Sequence, residues 1–235
     1  MSVKTCFTSI DVENKGTEEV NQILDIFKKY DISATLFVTG EVLERYNNLV
    51  KEWSQDYEIA SHSFTHRFWS TLNTEERKQE LDNFINLYQR IFQTLPLGFR
   101  APSHLIDEEG IKLLTEKGFL YDSSIVPHYP PFKKYRGYKG KAPLLPYYPK
   151  EAQILEIPVR GQVFGIPLAG AWIRGLPSWF YKVLFLIYCP NFITLNMHSW
   201  DVLDPCFLEK LEEILKILKD KNYLFLNGEQ ILKNQ

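Results

Sequence analysis

The chain has 235 residues, 45% hydrophobic and 24% charged, with a formal charge of −2. That is the profile of an ordinary soluble globular protein, long enough to bury a core and at the upper end for one domain. It lacks the basic excess of a nucleic-acid binder. Three widely spaced cysteines, Cys6, Cys189 and Cys206, form neither a disulfide framework nor a zinc-ribbon pattern. A reducing compartment is the simpler expectation. Met1 to Phe7 is too short and too soon followed by acids to read as a signal peptide, so the expected location is cytoplasmic.

Short β-rich runs alternate with helical patterns, which predicts a βα-repeating architecture. Lys4–Ile10 reads as a buried strand ending at Asp11. Val20, Ile23, Leu24 and Phe27 then mark one face of a helix. Ser33–Val38 is a second strand closed by Gly40, Glu41–Trp53 a second helix, and Tyr57–Ser61 a third strand leading into His62. Asn73 and Glu76 have capping-box spacing for a helix running to about Phe92. Gly98–Arg100 is a strand, Asp107 caps a helix to Lys117, and Tyr121–Ser123 is again a strand. Ile154–Pro158, Phe192–Asn196 and Tyr223–Leu226 are further strands, and Pro205–Lys221 is the last long helix. About seven strand–helix units result, one short of an eight-fold barrel.

Two stretches depart from this rhythm. Val126–Lys150 holds six prolines and five tyrosines and reads as an elaborated loop over one barrel end rather than a linker. Ile166–Leu195 is the most apolar region, yet Pro177, Pro190, Arg174 and Lys182 interrupt it. A spanning helix needs about 20 apolar residues. The segment is read as a core helix, with peripheral membrane contact as the alternative, and not as a transmembrane span.

The chemistry-bearing residues fall at predicted C-terminal strand ends. His62 and His66, four apart in His-Ser-Phe-Thr-His, would present both rings from one side of a helical turn, as a metal requires. Asp11-Val-Glu13 places two carboxylates two apart, on one side of an extended chain. One could bind the metal while the other takes a proton from water. Arg100, in Gly98-Phe-Arg-Ala-Pro102, could hold a carboxylate ionised and oriented. His198, in Asn196-Met-His-Ser-Trp200-Asp201, could protonate a leaving amine. Each has a bland reading alone: a core histidine, a solvated acid, a structural salt bridge. Their coincidence at one end of the strands is what the bland readings leave unexplained.

At these residues the chain resembles the polysaccharide deacetylase family, the NodB-homology domain. The resemblance rests on Asp11-Val-Glu13, His62-Ser-Phe-Thr-His66, Arg100-Ala-Pro102 and Leu195-Asn-Met-His198, in family order. The family usually has Asp-Asp in the first motif; Val12 stands where the second would be, so this chain looks like the Asp-x-Asp/Glu branch. Ala101-Pro-Ser, Tyr121-Asp-Ser-Ser-Ile125, Leu168-Ala-Gly-Ala-Trp172 and Leu176-Pro-Ser-Trp179 look like deacetylases of bacterial exopolysaccharide or surface-glycan synthesis.

The resemblance implies a single-domain α/β fold over residues 1–235, a distorted (β/α)7 barrel. It implies one divalent metal, zinc first with cobalt, nickel or iron as alternatives, on Glu13, His62 and His66. Asp11 becomes the base, Arg100 its holder, His198 the acid and Asp122 an acid tuning His198. Ser103 and Trp200 are expected to bind substrate, Ser103 through its backbone N–H. The expected activity is hydrolysis of a C–N amide bond, removing N-acetyl from an amino sugar of a glycan, whether monomer, polymer or lipid-linked. Deformylation of a lipid-linked sugar, opening of another linear or cyclic amide, and an inactive glycan-binding module are the alternatives.

Overall fold

The long strand β1 (Lys4–Val12) organises the molecule. Its residues from Cys6 to Val12 are all buried, as in a parallel strand covered on both faces. The computed structural model describes residues 3–127, 142–150, 152–159 and 167–235. Around β1 lie β2 (Thr35–Val38), β3 (Glu58–Ser61), β4 (Gly98–Phe99), β5 (Tyr121–Asp122), β6 (Leu155–Glu156), β7 (Leu168–Ala169), β8 (Phe192–His198) and β9 (Tyr223–Leu226). Every named pairing is parallel, in the order β6-β5-β4-β3-β2-β1-β8-β7. β9 pairs the first half of β1, Lys4 to Phe7, and β2 pairs the second half, Ser9 to Val12. The result is a curled, incompletely closed sheet with helices outside, the distorted barrel expected from the sequence.

The helices follow their apolar periods. Helix α1 (Val20–Lys29) buries Val20, Ile23, Leu24 and Phe27, the four positions read from spacing. The Glu41–Trp53 helix is in fact two, α2 (Gly40–Arg45) and α3 (Asn47–Trp53), broken at Tyr46 with φ −117° and ψ 34°. Helix α4 (Thr74–Phe92) starts on the Asn73–Glu76 capping box, and Asp107 accepts from the Gly110 N–H to cap α5 (Glu108–Glu116). Then come α6 (Gly170–Gly175), α7 (Ser178–Ile187), α8 (Phe207–Asp220) and α9 (Gly228–Lys233).

Helix α7 corrects the core-helix reading. Tyr181, Leu184 and Phe185 are buried, while Trp179, Val183, Leu186 and Ile187 face out. Its apolar residues surround the axis, so one side stays exposed when the other packs. Among the described residues no helix is long and apolar enough to cross a membrane. Residues 128–141 of the Pro/Tyr-rich stretch lie outside the described residues. Of the remainder, Tyr147 makes an antiparallel bridge to Glu156.

Asp122 and Glu156 form a buried acid pair across β5 and β6. Burial raises both carboxyls, Asp122 to about 6 and Glu156 further, and mutual repulsion adds to the rise at Glu156. A carboxyl whose folded pKa lies above its unfolded value stabilises at low pH and loses that contribution as pH rises through the folded value. Stability should therefore fall as pH rises from the ordinary carboxylate range near about 4, through about 6 for Asp122 and further for Glu156. Glu156→Gln, which still accepts from the Ile125 N–H and can donate to Asp122, should remove that fall. The expected gain is on the order of 1–2 kcal/mol at pH 8, measured by denaturant melts across pH; an unchanged slope would refute the raised pair.

Candidate active site

Strand register assembles the site. Asp11 lies opposite Phe37 on one side and His198 on the other. One residue on, Val12 and its partners Val38, Ser61, Phe99 and Asp122 form the next level along the sheet, so Glu13, His62 and Arg100 leave the same edge together. The C-terminal mouth of the sheet thus collects Asp11, Glu13, His62, His66, Arg100 and His198.

Arg100 is fully buried. Its Nη1 donates to Asp11 Oδ1 at 2.7 Å and to Ser9 Oγ at 2.8 Å. Nε and Nη2 donate to the Ser123 carbonyl and hydroxyl, both at 2.9 Å. The guanidinium also lies 4.1 Å from the Phe37 ring centroid, a cation–π contact that fixes its plane. Burial alone would raise the Asp11 carboxyl; Arg100 first, then the neighbouring imidazoles, hold it below the ordinary carboxylate range. Asp11 is an ionised carboxylate with one oxygen tied down.

Glu13, His62 and His66 offer ligand atoms all within 4.8 Å of one another. His66 Nε2 and Glu13 Oε1 are 3.3 Å apart, roughly the separation of two ligands on one tetrahedral zinc with bonds of about 2.0–2.2 Å. The His62 Nδ1–H donates to the Arg100 carbonyl at 2.8 Å, leaving Nε2 unprotonated for a metal. Burial pushes the His62 imidazole down to about 4, so it stays neutral, as a ligand must. The donor set fits a divalent cation.

The two histidines do not share a helical turn. Ser63 and His66 have φ of 64° and 58°, and the segment is an irregular loop after β3. Its shape is imposed by Glu80, a buried carboxylate on the inward face of α4. Glu80 accepts from the Ser63 hydroxyl, the Phe64 and Thr65 N–H groups and the Thr65 hydroxyl at 2.6–3.0 Å. Sequence reasoning missed it; the available signal was an acid among Leu81, Phe84 and Ile85 on an apolar helix face. Glu80→Gln would set an NH2 against these donors, each stranded donor costing about 1–3 kcal/mol. The expected result is lower stability and roughly 10–100-fold weaker metal binding, read by thermal melt and metal titration; wild-type affinity would contradict it.

His198 stands on the other side of Asp11, with Nε2 3.9 Å from Asp11 Oδ2. The acid beside it is Asp201, not Asp122: Asp201 Oδ2 accepts from the His198 N–H at 2.8 Å and lies 3.6 Å from Nδ1. Asp122 instead accepts from Ser124 at 2.6 Å and faces Glu156. Strand order could not show this, because Asp201 reaches back from the turn after β8. A Cβ on Gly170 would lie 1.5 Å from Asp201 Oδ2, so only glycine lets α6 approach that carboxylate. The Trp200 ring meets His198 at 3.8 Å, beside the candidate acid.

Ser103 lies in the turn after Arg100 with φ 56°, and His104 follows with the same φ. His104 escaped the sequence reading. Its imidazole, pushed down to about 3 by burial and then by Arg100, is a neutral polar group near the site. Ser199 was also missed. Its hydroxyl donates to the Lys15 carbonyl at 2.7 Å and accepts from the Glu13 N–H at 3.1 Å, holding the turn that carries Glu13.

Comparison with known proteins identifies the family and the fold. The family model for polysaccharide deacetylase matches residues 3–121. The peptidoglycan deacetylase-like protein FGM2 of Gibberella zeae is 34% identical over 116 residues, which are 48% of this chain and 34% of that protein. The match thus spans about a third of that relative's length. Among solved structures, Puue allantoinase shares the fold with a TM-score of 0.74 at 16% identity, over 99% of this chain and 90% of its own. BA3943 from Bacillus anthracis, a CE4 family pseudoenzyme, does so with a TM-score of 0.68 at 17% identity, over 98% and 66%. With more than half of the residues under the family model and the four motifs converging on one barrel mouth, this chain belongs to the polysaccharide deacetylase family.

Proposed function

We propose that the chain hydrolyses an N-acyl amide, acetyl first, on an amino sugar of a glycan or glycan precursor. The observation that carries this reading is the Arg100-held Asp11 carboxylate between the Glu13–His62–His66 cluster and His198. Family membership and the likeness to FGM2 support a glycan substrate.

Glu13, His62 and His66 would hold one divalent cation, zinc first, with cobalt, nickel or iron also suited to this donor set. Such an ion supplies Lewis acidity, polarising an acyl carbonyl and easing deprotonation of water. Asp11 takes the proton as water attacks the carbonyl carbon; its tether to Arg100 keeps it charged and aimed. His198, on the opposite side of Asp11, delivers a proton to the departing sugar nitrogen, with Asp201 orienting its ring. The Ser103 backbone N–H assists the oxyanion, and Trp200 packs against the sugar. The products are a free amine and a carboxylate.

Metal analysis combined with an amine-release assay on N-acetylated sugar oligomers tests the reading. The likeness to a pseudoenzyme makes inactivity the outcome to exclude: metal-loaded protein without turnover on any N-acylated sugar would overturn the proposal. His198→Ala should keep its metal and lose about 10²–10⁴-fold in rate. Unchanged turnover would remove His198 from the acid role.

A further inference from the structure

Helix α7 carries an apolar stripe on the side that faces away from the core. Trp179, Lys182, Val183, Leu186 and Ile187 recur at the 0, 3, 4, 7, 8 spacing of one helix face. Trp179, Val183, Leu186 and Ile187 are 62, 44, 74 and 70% exposed, and Tyr188 continues the face at 45%. Helix α8, packed beside α7, shows the ordinary pattern, with Glu209, Lys216, Lys219 and Asp220 outward and Leu211, Ile214, Leu215 and Leu218 inward. Single exposed apolar residues need no explanation, whereas a contiguous stripe of them marks a contact surface.

Charge indicates what that surface meets. Residues 157–200 contain no Asp or Glu, and Lys182 sets an exposed base within the stripe itself, whereas Arg174 is paired with Asp201 at 2.9 Å. With 29 acids in 235 residues, a stretch of this length would ordinarily hold about five. An anionic lipid surface disfavours acids and attracts such bases, each by about 1 kcal/mol near the headgroups. Trp179 and Tyr188 bracket the stripe, and amphipathic rings of this kind settle at the headgroup boundary.

Size separates the possible occupants. Ten residues of helix span about 15 Å, half of the roughly 30 Å hydrocarbon core, so α7 can lie on a bilayer but not cross it. A stable interface with a second copy ordinarily uses about 20–30 residues a side, far more than this stripe supplies.

We propose that α7 seats the protein peripherally on an anionic bilayer, with Leu186 and Ile187 entering the acyl boundary and Lys182 meeting the headgroups. The inference is independent of the hydrolytic reading, since its test needs no turnover.

The experiment is sedimentation of the full chain with vesicles of phosphatidylcholine and phosphatidylglycerol in equal parts, against phosphatidylcholine alone. Wild-type protein should pellet with the anionic vesicles and bind the neutral ones more weakly. Leu186→Glu with Ile187→Glu should lower the partition at least tenfold. Both side chains already face solvent, so circular dichroism should match wild type. Lys182→Glu changes no apolar contact and should by itself cost about fivefold or more on anionic vesicles. The idea is overturned if wild-type protein stays in the supernatant or if the variants bind as it does. Sedimentation velocity showing a dimer that Leu186→Glu dissolves would also overturn it, because the stripe would then belong to a second copy.

Discussion

Replacing His62 by alanine is expected to abolish stoichiometric metal binding and to lower amide hydrolysis by about a thousandfold or more, some 4 kcal/mol of transition-state stabilisation. His62 supplies a neutral nitrogen from a buried ring whose other nitrogen is committed to the Arg100 carbonyl. Neither Glu13 nor His66 can reorient to supply a third ligand atom in its place. His66→Ala should act the same way, while its greater exposure leaves room for water to substitute and so for some residual metal. Elemental analysis of purified variants, with turnover on an N-acetylated oligomer and a melt to confirm folding, gives the answer. Full activity in a metal-free His62→Ala protein would remove the cluster from the chemistry.

Arg100→Met is expected to combine the largest stability loss with loss of turnover. The side chain spans the gap between Asp11 on β1 and Ser123 just after β5, so removing its charge strands a buried carboxylate. Breaking a buried pair from one side costs about 3–5 kcal/mol. Methionine fills part of the volume over Phe37 but makes none of the four hydrogen bonds. Asp11→Asn with Arg100→Met should recover part of the stability, because no unpaired charge remains, yet stay inactive for want of a base. Denaturant melts of the two single variants and the double variant decide this. If Arg100→Met were no less stable than Asp11→Asn, the ion pair would not be the link that holds these strand ends together.

The hydrogen bonds behind these predictions also show what could be read in advance. Apolar spacing located α1 to its four buried residues, and capping chemistry located the start of α4, because both signals are local in sequence. The Glu41–Trp53 pattern hid a break, since α2 and α3 each bury a short face and nothing in the spacing marks Tyr46 as the hinge. The His62–His66 spacing pointed to two rings that do lie together, though not on the helical turn it predicted. The rings converge because Glu80, on a helix begun eight residues beyond His66, pulls the intervening backbone into a left-handed loop. His104, Ser199 and Asp201 were passed over because the positions they reach are set by turns rather than by periodicity.

What the sequence by itself determined was the set of elements, their parallel βα order and the polar residues that gather at the strand ends, because periodicity and residue chemistry are properties of short segments. What only the tertiary structure decided was which acid faces His198, what shapes the histidine loop, and which side of α7 is left bare. Those depend on pairing register and on contacts between residues such as Ser63 and Glu80 or Gly170 and Asp201, where packing chooses among partners that spacing along the chain leaves equivalent.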